Sequence, residues 1–283
     1  MFVRELKEEI STSLQEASLF KKKLLPDIKK GEIFPAIRKG RLDFYHKGGK
    51  LFSYDSRFKT HIKFASVLRS NKKDDYILEE ELKDVKPILD FTEAYERIKE
   101  NCSKYSGEEA AGVSKICSKF SYAKDFNQNV VILDIEGSLE SIEDERTQDR
   151  IDLLLFDRKR KLLRFYEAKH FSNKEIWSKQ GTVPKVITQV DRYKKQIEVK
   201  KDEIISGYSN YIDIVNSLFK LNLEKPIDID SEVSLLVFGF DKDQLQGRFR
   251  SLFEQNIQSG KIKYYAIGNP DNLEILTMWN KCN

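Results

Sequence analysis

Three charged residues lie at the ends of two apolar stretches between residues 150 and 170. Asp152 stands near the start of the first stretch, and Glu167 and Lys169 stand at the end of the second. Both stretches have the length and the apolar content of buried β-strands. Charged groups are costly inside a buried strand, so these three side chains are candidates for chemistry.

A charged turn joins the two stretches and sets their pairing. If the turn is an even-length loop centred between Lys159 and Arg160, antiparallel pairing places Asp152 opposite Glu167, with Cβ atoms about 5 Å apart. Lys169 lies two residues beyond Glu167, and alternation along a strand puts it on the same face. Two carboxylates this close repel unless a divalent cation or the Lys169 ammonium compensates, and hard oxygen ligands of this kind suit Mg²⁺.

A structural ion pair at the end of a sheet is the alternative interpretation. The same acid-x-Lys spacing occurs in Glu5-Leu6-Lys7 and in Glu81-Leu82-Lys83, where the surroundings are highly charged and helical in pattern. The triplet Glu167-Ala168-Lys169 differs because it ends an apolar strand that is expected to pair with a strand carrying Asp152.

These residues resemble a known family. The set Ile151-Asp152, Glu167-Ala168-Lys169, Gln189 and Tyr193 is similar to the motif of the PD-(D/E)XK phosphodiesterase superfamily, the fold of many restriction enzymes, of Mrr-like enzymes and of RecB-like nucleases. The family pattern has Pro before the Asp, where this chain has Ile151. The resemblance covers residues 106–268 and implies an α/β fold with a restriction-endonuclease-like core, a central mixed sheet flanked by helices.

The resemblance also implies roles for the residues. Asp152, Glu167 and the Ala168 carbonyl would ligate Mg²⁺ or Mn²⁺, and Lys169 would orient the attacking water and stabilise charge on the phosphoryl oxygens. The helix of Gln189 and Tyr193 would contact the DNA backbone near the metal. The alternative for the last two residues is a polar pair that flanks the core.

In this family a further acid often joins the metal site from a helix, and two residues compete for that role. Glu109 lies on the apolar face of a helix predicted to begin with a Ser106–Glu109 capping box. It is the first candidate, with a plain capping role as the alternative. Glu136, at the end of a predicted strand over residues 129–136, is the rival candidate.

The first 88 residues predict a separate α+β module that binds nucleic acid or a partner. A helix over residues 5–25, closed by Pro26, precedes a hairpin turned at Lys47-Gly48-Gly49. A strand over Arg57 to Phe64 would alternate apolar residues with a basic face that contains Arg57, Lys59 and Lys63. Such a face could follow the phosphates of a nucleic acid, or it could simply be solvated.

Residues 89–283 are predicted to form the nuclease-like domain. Asp90 and Glu93 form a capping-box pattern ahead of a first helix, and residues 201–230, with one helix, have the character of an insertion. The other elements expected here are a helix from Pro184 to about residue 200, a strand over Val233 to Phe240, a helix over Asp243 to Gln258 and a strand over Ile262 to Ile267.

Composition narrows the class of protein. The chain has 283 residues, and its 50 basic and 46 acidic residues leave a net charge of only +4, so any basic surface must be local. Three cysteines without paired spacing argue for reduced thiols and against a cysteine-ligated zinc or iron–sulfur site. No apolar run approaches membrane-spanning length and no signal peptide is evident, so a cytoplasmic protein without membrane contact is expected.

The sequence therefore predicts a Mg²⁺- or Mn²⁺-dependent endonuclease or exonuclease, with DNA the favoured substrate and defence against foreign DNA or DNA repair as its setting. A homodimer or a partner subunit of a defence system fits this expectation. The alternative is a catalytically silent nuclease-like module that binds nucleic acid or a partner protein. A third interpretation is an α/β protein in which the motif is coincidental.

Overall fold

The chain folds into two compact units in a computed structural model. Unit 1 comprises Met1–Phe2, Gln128–Tyr208 and Glu224–Asn283, and unit 2 comprises Val3–Asn127 and Ser209–Leu223. The structure describes residues 2–67, 75–85, 90–124, 128–140, 148–177, 183–247, 249 and 262–282. The module boundary predicted between residues 88 and 89 lies outside the described residues, and the described residues on both of its sides belong to unit 2.

Unit 2 contains a five-stranded antiparallel sheet in which sequential strands are neighbours. Its strands are β1 (Phe34–Arg38), β2 (Arg41–His46), β3 (Gly49–Tyr54), β4 (Phe58–His61) and β5 (Tyr76–Leu78). The predicted hairpin is confirmed: His46 pairs with Gly49 across the two-residue turn Lys47-Gly48. Both turn residues have positive φ, 44° and 83°, as a type I′ turn requires.

The strand predicted over Arg57 to Phe64 is shorter than expected. β4 ends at His61, and Ile62–Ala65 form a helical turn, because the His61 ring accepts a hydrogen bond from the Lys63 N–H and so caps that turn. Lys63 therefore does not continue the basic face of the strand that carries Lys59.

The helices of unit 2 correct two further predictions. Pro26 does not close the N-terminal helical segment; it lies at the first turn of a helix that continues to Lys30, a position where proline needs no N–H partner. The N-cap before Glu109 is Gly107, and Ser106 donates instead to the Lys47 carbonyl. The helices are α1 (Glu8–Glu16), a π-helical turn (Phe20–Leu24), α2 (Leu25–Lys30), α3 (Ile62–Ala65), α4 (Glu79–Val85), α5 (Tyr95–Lys104) and α6 (Glu108–Phe120).

The capping box ahead of α5 is confirmed. The Asp90 N–H donates to Glu93 Oε2 at 3.2 Å, and the Glu93 N–H donates to Asp90 Oδ1 at 2.8 Å. The α5 helix then buries Tyr95, Ile98 and Cys102 on one face, so the cap and the apolar face together fix where this helix begins and how it packs.

Unit 1 contains a five-stranded mixed sheet in the order β10-β9-β8-β7-β6. Strands β6, β7 and β8 form an antiparallel meander, whereas β9 pairs parallel to β8 and β10 pairs parallel to β9. The strands are β6 (Val130–Glu140), β7 (Gln148–Asp157), β8 (Leu162–His170), β9 (Asp228–Phe238) and β10 (Tyr264–Ile267). The prediction of a mixed sheet flanked by helices agrees with this unit at the level of an α/β architecture.

Helices complete unit 1. They are α7 (Lys185–Val199), α8 (Lys201–Phe219), the short α9 (Lys242–Gln244) and α10 (Ile275–Lys281). The residues of α8 up to Tyr208 belong to unit 1, and its remaining residues belong to unit 2. The predicted helix over Asp243 to Gln258 lies largely outside the described residues. No helix in the described part of the chain combines the length and the apolar character needed to cross a membrane.

Candidate active site

The β7–β8 hairpin sets the register of the candidate residues. Leu153 pairs with Tyr166, and Asp157 pairs with Leu162. The turn between the strands has four residues, 158–161, and is held by Asp157 Oδ1. This oxygen accepts the N–H groups of Lys159 and Arg160 at 3.0 Å each. Extending this register by one pair places Asp152 opposite Glu167, which is the pairing that the turn length predicted.

Asp152 links the two strands through its side chain. Its Oδ2 accepts a hydrogen bond from the Ala168 N–H at 2.8 Å. A carboxylate offers about four lone-pair sites, more than a single hydrogen bond uses. Asp152 is partly exposed, and this hydrogen bond fixes its carboxylate beside the end of β8.

Glu167 and Lys169 form a buried ion pair on one face of β8. Lys169 Nζ lies 2.8 Å from Glu167 Oε1, and the two side chains are only 8% and 1% exposed. Lys169 Nζ also lies 3.1 Å from Oε2 of Glu175, whose side chain is 43% exposed. The structure thus adds to the site an acid that the sequence did not predict.

A short 3₁₀ turn, Lys174–Ile176, carries Glu175. The Asn173 side chain caps this turn by accepting the Glu175 N–H at 2.9 Å, and Ile176 is fully buried. An Asn side chain often accepts the backbone N–H two residues later, so Asn173 is a signal for such a turn, but it does not reveal which side chain Glu175 will contact.

The α7 helix presents Tyr193 and Gln189 next to the start of β7. The Tyr193 hydroxyl donates to the Arg150 carbonyl at 2.7 Å, and Gln189 Nε2 donates to that hydroxyl at 2.6 Å. Burial raises the pKa of Tyr193 well above its usual range, and the negative charges of Glu167 and Asp152 raise it further. Tyr193 therefore lies within electrostatic reach of both candidate carboxylates.

A second contact anchors α7 to β7. Arg192 holds Asp149 through two parallel hydrogen bonds of 2.7 Å, and Gln196 Nε2 donates to the same carboxylate at 2.7 Å. Burial alone would raise the pKa of Asp149, but the hydrogen bonds from Arg192 and Gln196 hold it below its ordinary value. The helix that carries Tyr193 is thus fixed to the strand that carries Asp152.

The two predicted auxiliary acids lie in different units. Glu109 is in the first turn of α6 in unit 2. Glu136 lies between two β6 residues that pair with Leu153 and Ile151, so the ladder places it across from Asp152. Its φ of 46° is unusual for a non-glycine residue, and its carboxylate lies 3.7 Å from the exposed Arg150 guanidinium.

The three basic residues predicted to contact nucleic acid all belong to unit 2. Arg57 lies 3.5 Å from Glu80, and Lys59 lies 2.6 Å from Asp55, so both charges are at least partly balanced. The Lys63 ammonium lies over the Tyr105 ring at 5.7 Å from its centre.

The donor atoms at the end of the hairpin fit a hard divalent cation in chemistry and in charge. In their ionised forms Asp152, Glu167 and Glu175 carry three negative charges and Lys169 one positive charge, which leaves two negative charges. Oxygen donors with this excess charge suit Mg²⁺ or Mn²⁺. Within the described ranges, no group of three or more His, Cys, Asp or Glu side chains is arranged to hold a metal ion by itself, so a backbone carbonyl or water would have to complete the coordination.

Comparisons of the chain with protein-family models, with curated proteins and with solved structures found no match.

Proposed function

We propose that this protein is a metal-dependent nuclease of the PD-(D/E)XK type that hydrolyses phosphodiester bonds, with DNA as the favoured substrate. The observation that carries the proposal is the end of the β7–β8 hairpin, where Asp152, Glu167 and Lys169 meet beside the helix of Gln189 and Tyr193. The sequence motif alone specifies residue types, whereas here the same residues are neighbours in space.

The order of elements in unit 1 supports the proposal. The resemblance implies a helix, three strands, a helix, a strand, a helix and a final strand, and unit 1 has β6, β7, β8, α7, β9 and β10 in that order, with α8 inserted after α7. The first helix of that order, α6, belongs to unit 2, and only the short α9 of the helix before β10 lies among the described residues. The parallel pairing of β9 with β8 makes the sheet mixed, as a restriction-endonuclease-like core requires.

Asp152, Glu167 and the Ala168 carbonyl would hold Mg²⁺ or Mn²⁺ in this proposal. Such a cation, when bound, polarises the scissile phosphate and lowers the pKa of an attacking water. Asp152 is prepared for this role because its Oδ2 is already oriented by the Ala168 N–H. Glu167 is prepared because its side chain is almost fully buried and its Oε1 is held by the Lys169 ammonium.

Lys169 would orient the attacking water and stabilise the charge that develops on the phosphoryl oxygens. Its ammonium is nearly buried, and a charge in a water-poor site acts more strongly than one in bulk water. Glu167 and Glu175 hold the ammonium in place, so the lysine does not have to be ordered when the substrate binds.

The α7 helix would support the hairpin and approach the DNA backbone. Tyr193 fixes the Arg150 carbonyl two residues before Asp152, and the partly exposed Gln189 fixes the Tyr193 hydroxyl. We place the basic residues Arg57, Lys59 and Lys63 in a secondary phosphate-contacting role, because two of them share their charge with a carboxylate. Defence against foreign DNA or DNA repair, in the cytoplasm, is the setting that we propose for this activity.

The deciding experiment is a cleavage assay with plasmid, linear duplex, single-stranded DNA and RNA, each with Mg²⁺, Mn²⁺ or EDTA. We expect cleavage only with a divalent cation, and a loss of about a hundredfold or more in Asp152→Asn, Glu167→Gln and Lys169→Met. Asn and Gln keep the size of the native side chains, and Asn can still accept the Ala168 N–H.

Lys7→Ala is the matched control, because Lys7 belongs to an identically spaced acid-x-Lys triplet and is exposed. Full cleavage by a folded Asp152→Asn protein would refute the assignment of the site. Binding of DNA without cleavage, together with no heat of Mg²⁺ or Mn²⁺ binding in calorimetry, would favour the catalytically silent module instead.

A further inference from the structure

We propose that Glu175 is a positioning residue of this site, which holds the Lys169 ammonium jointly with Glu167. The inference rests on the proposed function, since Lys169 matters for cleavage only if the hairpin end is the active site. Glu175 lies outside the sequence motif, six residues after Lys169, and its carboxylate reaches the lysine at 3.1 Å.

The three side chains differ in exposure. Glu167 is 1% exposed, Lys169 is 8% exposed and Glu175 is 43% exposed, and the ammonium contacts both carboxylates. Hydrogen bonds between charged groups are shorter and stronger than those between neutral groups. The ammonium is therefore held by two charge-assisted contacts, one to a buried acid and one to a partly exposed acid.

The backbone makes the position of Glu175 well defined. The Asn173 side chain accepts the Glu175 N–H, Ile176 is buried next to it, and Trp177 Nε1 donates to the Phe171 carbonyl at 3.0 Å. The 3₁₀ turn is thus held by its N-cap residue, by its last residue and by the residue that follows it. A glutamate on such a turn can act as a fixed partner for a lysine on the neighbouring strand.

Sharing the ammonium has a consequence for Lys169. Its Nζ contacts Glu167 Oε1 at 2.8 Å on the buried side, and Glu175 adds a second carboxylate at 3.1 Å on the more exposed side. The position of the ammonium therefore does not depend on Glu167 alone. Glu175 acts on the lysine and not on the carboxylates proposed to hold the cation.

The test uses the full chain with Glu175→Gln, which keeps the size of the side chain, and Glu175→Asp, which keeps its charge. The matched control is Glu232→Gln, because Glu232 is 40% exposed and forms a 2.7 Å ion pair with Lys194 in the same unit. Cleavage of a linear DNA duplex is measured over a range of Mg²⁺ concentrations, and Mg²⁺ binding is measured by calorimetry.

For Glu175→Gln we expect kcat to fall about tenfold, since one charge-assisted hydrogen bond to Lys169 is lost. The KM for the duplex and the Kd for Mg²⁺ should change by about threefold or less, because Glu175 contacts the lysine and its charge is screened by solvent. Glu175→Asp should recover part of kcat, and Glu232→Gln should match the unaltered protein. A loss of Mg²⁺ binding as large as that of Asp152→Asn would show that Glu175 is a metal ligand, and would overturn the positioning role.

A second readout does not depend on cleavage. Acetic anhydride modifies lysine amines, and mass spectrometry gives the rate for each residue. We expect Lys169 to react about threefold faster or more in Glu175→Gln, because it loses one of the carboxylates that hold it, and no faster in Glu232→Gln. Equal Lys169 rates in the two variants would overturn the inference even if the unaltered protein cleaves DNA. An unaltered protein that neither binds Mg²⁺ nor cleaves would overturn the proposed function and the role of Glu175 in it, whatever the labelling shows of the ion pair.

Discussion

At the scale of single residues, the Glu167–Lys169 ion pair contributes little net free energy to folding, because its desolvation opposes its attraction. Moving two charges out of water costs several kcal/mol each, and their attraction often does no more than offset this. Both side chains are less than a tenth exposed. Because apolar replacements of buried ion pairs are often neutral for stability, the low contribution of this pair is consistent with the catalytic role that we propose for it.

His46 in unit 2 is a second buried titratable residue, and its environment is well defined. Its Nδ1 lies 2.9 Å from the Glu32 carbonyl and its Nε2 lies 3.1 Å from Ser103 Oγ. Burial lowers the pKa of His46 below its ordinary value, and the charges of Lys99 and Lys47 lower it further, against the opposing effect of the Glu32 carbonyl.

This depressed pKa predicts a stability that depends on pH. Below the unfolded-state pKa of about 6.5, His46 binds a proton in the unfolded chain but not yet in the folded protein. The free energy of unfolding therefore decreases as the pH is lowered, by at most about 1.4 kcal/mol per pH unit. The free energy of unfolding stops decreasing on this account once the pH is below the pKa of His46 in the folded protein. We expect the protection factors of the α5 amides, in which the pH dependence of intrinsic exchange is divided out, to fall between pH 7 and pH 5.5.

His46→Gln is the comparison for that measurement. The variant loses stability at all pH values because a buried ring is removed, so the quantity to compare is the slope with pH. The slope should become shallower in the variant, and an unchanged slope would show that His46 is not responsible. Both tryptophans, Trp177 and Trp279, belong to unit 1, so their fluorescence is no substitute for exchange in α5.

At the scale of elements, the hairpin of β7 and β8 was predictable because its pairing is set by local sequence. The turn is even in length and symmetric about Lys159 and Arg160, so the register of two apolar strands followed directly. The end of β4 was not predictable from alternation, because alternation continues through Lys63 while the His61 ring caps a helical turn. A local hydrogen bond here competes successfully with a strand pattern.

Glu175 shows the other limit of sequence reasoning. Its contact with Lys169 depends on a loop that folds back beside β8, and no periodicity connects the two residues. Ser106 is similar, because its hydroxyl donates to the distant Lys47 carbonyl, whereas the predicted cap required it to accept an N–H of the helix that follows. Contacts between side chains of different elements depend on tertiary packing. The spacing of residues along the sequence does not encode that packing.

The ends of β8 and β9 depend on one glycine. Gly239 follows β9 with φ of 85°, and a Cβ there would overlap the His170 ring, next to Lys169. We expect Gly239→Ala to lower the free energy of unfolding of unit 1 by about 2 kcal/mol or more, through a strained φ and a displaced ring. Urea unfolding followed by the fluorescence of the buried Trp279 measures this loss.

Gly247→Ala is the control for that substitution, since a Cβ at Gly247 meets no atom within 4 Å. Its stability should stay within about 0.5 kcal/mol of the unaltered protein. Equal effects of the two substitutions would show that the space beside His170 is not critical.

At the scale of the whole molecule, the chain does not divide at one point. The predicted boundary assumed two consecutive modules, because a charged stretch between two apolar regions is the usual sign of a linker. Unit 2 instead includes Ser209–Leu223, so residues predicted to be an insertion in the nuclease-like domain belong to the other unit. The first part of α8 belongs to unit 1 and the second part to unit 2, and neither composition nor periodicity distinguishes the two parts. The sequence therefore did not predict this division.

A fragment of residues 3–127 should therefore fold poorly. The missing segment supplies Tyr211, whose ring lies 5.9 Å from that of Tyr122, and Phe219, which lies 6.4 Å from Phe20. We expect the fragment to bind a hydrophobic dye and to unfold without a cooperative transition in circular dichroism, since an aromatic cluster is left open. The same fragment joined to residues 209–223 by a Gly/Ser linker should recover the transition. A fully cooperative transition in the unextended fragment would show that Ser209–Leu223 is dispensable.

The discontinuity of unit 2 also has a consequence for the newly made protein. Ribosomes add about 5–20 residues per second, and 96 residues separate Asn127 from Leu223. About 5–20 seconds therefore pass between the synthesis of Asn127 and the completion of unit 2 at Leu223. During that interval the N-terminal residues leave the ribosome with the sites for Tyr211 and Phe219 uncovered. Chaperones that bind exposed aromatic surface should therefore associate with nascent chains ending between residues 127 and 223 and release them soon afterwards.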